Sequence, residues 1–333
     1  SNSLKPPGRH RAMLTPALLF FAAALPVGAM RNSSLQFFLR RRSLFHGFFG
    51  AGEGLVWNKI WQDMEPSNQT FLDVGAGHYQ IRGLSGFRAD DGSLAVAFAK
   101  QTRCLGKVRV LAFEPQAEVA WSTSHLTGSS RLPCLTWVTK ALSNASGRMP
   151  LFGSSGSTLN LKSLAPNAHH QGKMLQTYVN VVTLDSFTAA HRLDHVDFLK
   201  VDAEGHDFQI LLGARRLFSE KRVGIVTVEL SSTWNVDYTR VWQRLSPPTS
   251  AMEHIAEPNF ASVVDLMEAW GYEGFLIGNL HSTPLLIPVS GENWHPRFDI
   301  CREEFCFLNL LFASEDELPR IDRFVWRNHA ASR

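Results

Sequence analysis

The sequence has little net charge and few cysteines, and both shortages limit the classes of function that it can serve. Its formal net charge is +3 over 333 residues. No lysine- and arginine-rich face with interleaved aromatics occurs in the central chain, which argues against a nucleic-acid partner. Four cysteines are present: Cys104, Cys134, Cys301 and Cys306. No CxxC pair with matching histidines occurs, so no metal site is predicted.

As an even set, the four cysteines fit two disulfides in an oxidising compartment. Cys301 and Cys306 are close in sequence and are the first predicted pair, across a hairpin or loop. Buried free thiols are the alternative.

Residues 71–77, FLDVGAG, are typical of a buried strand that runs directly into a glycine loop. Gly75 and Gly77 permit a sharp bend and a close approach of the backbone to a ligand. A dinucleotide-binding loop would place a third glycine three residues after Gly77, where this chain has Gln80. A P-loop lysine pattern is absent as well. The loop therefore favours a nucleoside cofactor without a pyrophosphate.

Two later strands also end in carboxylates, as the first does at Asp73. The strand in VLAFEP ends at Glu114, and the strand in VDFLKVDAEG runs into Asp202 and Glu204. In an open α/β sheet, ligands lie beyond the carboxyl ends of the strands. The three stretches are therefore predicted to converge on one crevice.

The carboxylates in this crevice indicate which nucleoside cofactor is bound. Glu114 is placed to accept hydrogen bonds from both hydroxyls of a ribose. Asp73 is placed to hold an ammonium group, directly or through water, while residues 75–77 pass under the amino-acid end of the cofactor. Together these features favour S-adenosylmethionine (SAM).

Strands alternate with helices along the chain, which predicts a doubly wound α/β fold with a mostly parallel, seven-stranded Rossmann-like sheet. The nearly continuous apolar and β-branched run at residues 223–230 is typical of a central parallel strand covered on both faces. Another strand is predicted at residues 135–141. No helix is predicted between residues 284 and 305, which indicates an antiparallel last strand.

The first 30 residues are predicted to be a signal peptide or a signal anchor. Residues 12–30 contain no charge and are rich in Ala, Leu and Phe, and Lys5, Arg9 and Arg11 precede them. This length would just cross a bilayer as a single N-terminal membrane anchor, and a buried N-terminal helix is the alternative.

Residues 31–69 are predicted to form a stem with an amphipathic helix, around residues 55–64, that leads into the sheet. The catalytic domain is predicted at residues 70–315 and a basic tail, docked as a helix, at residues 316–333. Three glycosylation sequons fit a chain of the secretory pathway, anchored in the ER or Golgi lumen or secreted: Asn32, Asn68 and Asn144.

Four stretches occur in a specific order over roughly residues 70–313: FLDVGAG, AFEP, VTLDSF and DFLKVDAEGH. In this order they resemble FkbM-type, class I SAM-dependent methyltransferases. The resemblance implies O-methylation of a hydroxyl on a small molecule or glycan. It also implies which residues bind SAM: Asp73, Gly75, Ala76, Gly77, Glu114 and Pro115. Residues 78–107 depart from the family, being longer and more irregular than the usual helix after the glycine loop.

Asp202, Glu204 and His206 are the predicted catalytic residues. Transfer to a hydroxyl requires a base or a group that orients the acceptor. The two carboxylates lie on the predicted rim of the crevice, and histidine has the side-chain pKa closest to neutrality. The alternative role for this stretch is capping of the following helix by Glu204 and Asp207.

Two other classes of function fit parts of the sequence. An N-terminal anchor, a stem and the acid-x-acid motif of Asp202 and Glu204 also describe a lumenal, metal-dependent glycosyltransferase. The glycine loop on the first strand and Glu114 on the second argue against that class. The third interpretation is a binding module that keeps the cofactor fold without turnover.

Overall fold

The structure, a computed structural model, describes residues 53–62, 64, 67–77, 93–152, 175–231, 260–280, 283–290 and 307–325. Four features predicted from the sequence lie outside these residues: the apolar run at 12–30, the sequon at Asn32, the first part of the irregular stretch 78–107, and the pair Cys301 and Cys306. Within the described part of the chain, no helix has the length and apolar character needed to cross a membrane.

The described residues contain eleven strands. In chain order they are β1 (Thr70–Val74), β2 (Arg109–Phe113), β3 (Leu135–Val138), β4 (Ala141–Leu142), β5 (Gly147–Phe152), β6 (Leu175–Val182), β7 (Val196–Val201), β8 (Val223–Ser231), β9 (Tyr272–Leu280), β10 (Thr283–Pro288) and β11 (Phe307–Ser314). Eight strands form one sheet in the order β10-β9-β11-β8-β7-β1-β2-β3, and the other three form a second sheet in the order β4-β6-β5.

Eight α-helices accompany these strands in the same residues. They are α1 (Glu53–Gln62), α2 (Leu94–Thr102), α3 (Ala117–Thr127), α4 (Leu184–Ala190), α5 (Asp207–Leu212), α6 (Arg215–Ser219), α7 (Phe260–Ala269) and α8 (Leu318–Ile321). Short 3₁₀ turns occur at Ser129–Arg131, Glu315–Glu317 and Asp322–Phe324.

The large sheet confirms the predicted doubly wound, mostly parallel α/β fold. β3, β2, β1, β7 and β8 run parallel, and β11 lies antiparallel between β8 and β9. The sheet has one strand more than the seven predicted, because β10 pairs with β9 at the edge. β10 contains Pro284 and Pro288. An edge strand tolerates proline because its outer side pairs with no other strand and needs no N–H donor there.

Helix α1 packs on the large sheet through a cluster of aromatic rings. Trp57 and Trp61 contact Phe71 on β1 with ring centroids 5.9 and 5.5 Å apart, and Trp57 also contacts Phe198 on β7 at 5.5 Å. Phe98 of α2 completes the cluster. These side chains are buried, and each contributes about 1.5–3 kcal/mol of transfer free energy. The helix predicted around residues 55–64 is therefore observed two residues earlier, as part of the layer that covers the sheet.

The second sheet divides a stretch that the sequence predicts as one strand, residues 135–141. Residues 135–138 form β3 at the edge of the large sheet, whereas Ala141 and Leu142 pair with β6 of the second sheet. Ala141 packs with Leu151, Val179 and Val181 in a small separate core. The break arises because this second core competes for the apolar residues that follow β3.

A disulfide between Cys104 and Cys134 joins the end of α2 to the start of β3. The two cysteines are 30 residues apart in sequence, and their Cα atoms are 5.2 Å apart. A cross-link of this span restricts the unfolded chain, which stabilises the folded state by about 3.6 kcal/mol in the chain-entropy description.

We expect the double substitution Cys104→Ser with Cys134→Ser to lower the free energy of unfolding by about 3.6 kcal/mol. Urea denaturation without reductant, compared with the wild-type protein, measures this loss. The matched control repeats the comparison with reductant in both samples, where the two proteins should have nearly equal stability because the wild type then lacks the same cross-link. An unchanged midpoint in the double variant without reductant would show that this disulfide does not restrict the unfolded chain.

Candidate functional site

The carboxyl ends of β1, β2 and β7 are joined by backbone hydrogen bonds. The N–H groups of Gly75 and Ala76 both donate to the carbonyl of Phe113, at 3.1 and 3.0 Å. The N–H of Asp202 donates to the carbonyl of Val74 at 3.2 Å. The predicted convergence of these strand ends is therefore present in the structure, with the glycine loop at its centre.

Both glycines of the loop lie against protein atoms. Gly75 has φ +79°, and a Cβ atom built on it would lie 1.8 Å from the carbonyl oxygen of Asp202. A Cβ on Gly77 would lie 2.3 Å from a carboxylate oxygen of Glu114. Sequence reasoning attributes these glycines to close approach of a ligand. In the structure they also allow the three strand ends to approach one another.

Asp73 is fully buried and holds the N-terminus of α2 with one carboxylate oxygen. Its Oδ2 accepts hydrogen bonds from the hydroxyl of Ser93 at 2.9 Å and from the N–H of Ala95 at 2.8 Å. Its Oδ1 has no hydrogen-bond partner among the residues that the structure describes, and the Nζ of Lys200 lies 3.7 Å from it. A buried acceptor atom thus remains available at the end of β1.

Glu114 ends β2 with a buried carboxylate. Its Oε1 accepts a hydrogen bond from the N–H of Gln116 at 2.9 Å, and Pro115 between them is half-buried. Burial raises the pKa of Glu114 to about 7, although hydrogen bonds from the backbone of Gln116 and Gly77 oppose the increase. The charge of this carboxylate therefore changes near neutral pH.

Residues 202–207 form a tight loop that Asp207 holds together. The Asp207 carboxylate is buried and accepts hydrogen bonds from the N–H groups of Ala203 at 2.7 Å and Gly205 at 3.0 Å. The pKa of Asp207 is raised to about 7, mainly because the carboxylate is buried and to a smaller extent because the charge of Asp202 is nearby. Glu204 adopts a left-handed backbone conformation at φ +53°. The N-cap position of the following helix is His206, which makes no side-chain capping hydrogen bond. Asp207 therefore stabilises the loop before the helix and does not cap its first turn.

Asp202 and His206, two of the predicted catalytic residues, lie in different environments. The Asp202 side chain is 31% exposed at the end of β7, whereas His206 is 1% exposed. His206 Nε2 lies 2.9 Å from the hydroxyl of Ser143, and burial lowers the pKa of His206 to about 3. A neutral, enclosed imidazole is better suited to holding the loop than to exchanging a proton with an acceptor.

Sequence reasoning missed two charged side chains of this region, Lys200 and Glu53. Lys200 is a buried lysine within β7, and its Nζ lies 2.9 Å from Oδ2 of Asp202. Glu53, at the start of α1, hydrogen-bonds to Thr227 on β8. The sequence carries one usable signal for Lys200: it is the one charged residue in the otherwise apolar stretch between Asp197 and Asp202.

Comparison with known proteins agrees with this geometry. The family model of the methyltransferase FkbM domain matches residues 73–273, which is more than half of the chain. This chain belongs to the FkbM methyltransferase family. It therefore carries a SAM-dependent methyltransferase domain, and the family implies SAM as the methyl donor.

The chain is also similar to solved methyltransferases. The FkbM methyltransferase from Methylobacillus flagellatus KT is 15% identical with a TM-score of 0.37, and the match covers 74% of this chain and 43% of that one. Precorrin-6y C5,15-methyltransferase from Geobacter metallireducens GS-15 is 11% identical with a TM-score of 0.32, covering 78% and 87%. The TehB-like SAM-dependent methyltransferase from Corynebacterium glutamicum ATCC 13032 Kitasato is 12% identical with a TM-score of 0.30, covering 79% and 88%. No curated protein matches the sequence.

Proposed function

We propose that this FkbM-family protein transfers the methyl group of SAM to a hydroxyl of a carbohydrate or another small-molecule acceptor. One observation carries the proposal. Three carboxylates lie at the carboxyl ends of neighbouring strands of the large sheet. Those of Asp73 and Glu114 are buried, and that of Asp202 is partly exposed. The first two fit a nucleoside cofactor, and the third fits an acceptor that enters from solvent.

Asp73, Glu114 and the glycine loop after β1 would hold the cofactor. The Oδ1 of Asp73, which has no hydrogen-bond partner among the described residues, would accept from the ammonium of SAM, directly or through water. The Glu114 carboxylate would accept from the ribose hydroxyls. Gly75, Ala76 and Gly77 supply the backbone beneath the methionyl end, and Pro115 fixes the chain after Glu114. SAM supplies an electrophilic methyl carbon on its sulfonium.

Methyl transfer is an in-line displacement, so the protein must chiefly align the acceptor and exclude water. The acceptor oxygen forms a bond to the methyl carbon while the carbon–sulfur bond breaks, giving a methyl ether and S-adenosylhomocysteine. Asp202 accepts the hydroxyl proton, because it is a partly exposed carboxylate at the end of the strand beside β1, linked through Lys200 to Asp73. Glu204 orients the acceptor from the same loop. His206 stabilises that loop through its contact with the hydroxyl of Ser143.

We place the protein in the secretory pathway, anchored at its N-terminus or secreted. The disulfide between Cys104 and Cys134 supports an oxidising compartment. Asn68 is exposed and Asn144 is half-buried, so the first of these two sequons is the better glycosylation site. Digestion of the secreted or membrane-bound protein with an endoglycosidase tests this placement. No mobility shift, together with recovery in the cytosol, would contradict it.

Calorimetry with SAM, UDP-sugars and divalent cations tests the reaction class. We expect SAM to bind without a metal ion, and metal-dependent binding of a UDP-sugar without SAM binding would reject the proposal. Radiolabelled methyl transfer from SAM onto fractionated glycans, lipids and small molecules then tests the acceptor class. Label that mild base releases as methanol would indicate a methyl ester and exclude a hydroxyl acceptor, because methyl ethers survive this treatment.

We expect the affinity for SAM to fall as the pH decreases below 7. The free protein has a Glu114 pKa of about 7, and hydrogen bonds from ribose hydroxyls favour the ionised carboxylate. A proton therefore competes with SAM below pH 7, and the Kd rises by up to about tenfold per pH unit. Calorimetry between about pH 5.5 and 7 measures the slope, because the α-amino group of SAM titrates above this range.

Glu114→Gln is the matched control for this slope. Glutamine keeps the shape of the side chain and loses its titration, so the variant should bind SAM weakly with little pH dependence over the same range. An identical slope in both proteins would assign the titration to another group.

A further inference from the structure

A row of polar side chains crosses the middle of the large sheet beside the proposed cofactor site. Asp73 on β1 is aligned with Lys200 on β7, and Lys200 is aligned with Thr227 on β8. Aligned residues of neighbouring strands project to the same face of a sheet, so these three side chains are neighbours. Elsewhere this face carries large apolar residues such as Phe71 and Phe198.

Lys200 is the cation at the centre of this row. Its side chain is 9% exposed, and its Nζ lies 2.9 Å from Oδ2 of Asp202 and 3.7 Å from Oδ1 of Asp73. Burial alone would lower the pKa of Lys200, but the carboxylates of Asp202 and Asp73 raise it above that of an ordinary lysine. The ammonium is therefore charged at neutral pH and bridges two carboxylates of the site.

Helix α1 covers this row of side chains and contacts it through Thr227. The carboxylate of Glu53 accepts a hydrogen bond from the Thr227 hydroxyl, and the indole N–H of Trp57 donates to the same hydroxyl at 3.2 Å. Glu53 is also a third acidic neighbour of Lys200. Because α1 precedes the residues 73–273 that define the family match, this part of the site is a contribution of the flanking chain.

We propose that Lys200 is a positioning residue of methyl transfer, which orients the Asp73 carboxylate for the cofactor and the Asp202 carboxylate for the acceptor. Without the ammonium, the two carboxylates on neighbouring strand ends would repel each other. This repulsion would disfavour the arrangement in which Asp73 faces the cofactor and Asp202 faces the acceptor. α1 supports this role, because Glu53 and Trp57 fix Thr227 beside Lys200. Both parts rest on the proposed function: one on the contact between Asp73 and SAM, and the other on Asp202 as the base.

A double-mutant cycle on SAM affinity tests the link from Lys200 to Asp73 without any acceptor. The four proteins are the wild type, Lys200→Met, Asp73→Asn and the double variant. We expect Lys200→Met to raise the Kd for SAM about tenfold or more in the wild type. In the Asp73→Asn background its further effect should be less than about threefold. Equal effects in both backgrounds would reject the link.

A second cycle measures kcat with the acceptor fraction that takes up label from SAM. Lys200→Met should lower kcat strongly in the wild type and little in the Asp202→Asn background. Equal losses in both backgrounds would reject the link to Asp202. Full turnover by Asp202→Asn itself would instead reject the proposed base, while the SAM-affinity cycle would still decide the role of Lys200.

Thr227→Val provides a variant that keeps every charge, for the case in which Lys200→Met does not fold. It removes the hydroxyl that ties Glu53 to the row, so Glu53 competes with Asp73 for Lys200. The Kd for SAM should then rise by about threefold or more. Thr102→Val is the matched control, since Thr102 is a buried threonine at the far end of α2. Equal Kd values for the two variants would overturn the role assigned to α1 and Lys200.

Discussion

Replacing Gly75 with alanine is expected to lower the free energy of unfolding by about 4 kcal/mol and to abolish SAM binding. The new Cβ atom would lie 1.8 Å from the carbonyl oxygen of Asp202, which is backbone and cannot rotate away. The positive φ of +79° adds strain of its own. β1 and β7 would have to separate at their carboxyl ends, where Asp73 and Asp202 are placed.

Gly128→Ala separates these two contributions. Gly128 has φ +66° at the C-terminus of α3, and a Cβ built there meets no atom within 4 Å. It should therefore cost only the backbone strain, about 1 kcal/mol, and leave SAM binding unchanged. Urea denaturation and calorimetry measure both effects. If the two variants lose equal stability, the contact between Gly75 and Asp202 is not what requires glycine.

The strand ends of the site could be predicted from the sequence because their signals are local. The apolar strand before Asp73 and the glycines after it stand within seven residues, and the strand that ends at Glu114 is equally self-contained. The rule that ligands bind at the carboxyl ends of parallel strands then places both carboxylates in one crevice. This placement depends on the direction of the strands and not on side-chain packing.

The contacts among these residues could not be predicted, because they join distant parts of the chain. Glu53 and Thr227 are 174 residues apart in sequence, and Asp73 and Lys200 meet only because β1 and β7 are neighbours in the sheet. Exposure is equally invisible in the sequence. In the sequence, the position of His206 near two acidic residues predicts a catalytic role. In the structure this histidine is buried and contacts Ser143.

Asp202→Asn is expected to lower kcat by about a hundredfold or more while the Kd for SAM changes little. Asparagine can still accept a hydrogen bond from Lys200, so the loop after β7 should keep its shape. The amide cannot take up the proton of a hydroxyl acceptor. Steady-state methyl transfer gives kcat, calorimetry gives the Kd, and thermal melting checks the fold.

Glu204→Gln is the matched control, because it removes the neighbouring carboxylate on the same loop. If Asp202 is the base, Glu204→Gln should affect KM for the acceptor more than kcat, since an orienting contact is lost while the proton acceptor remains. A hundredfold loss of kcat in Glu204→Gln with normal turnover in Asp202→Asn would exchange the two roles. Normal turnover in both variants would exclude a carboxylate base on this loop, and alignment with water exclusion would then account for catalysis.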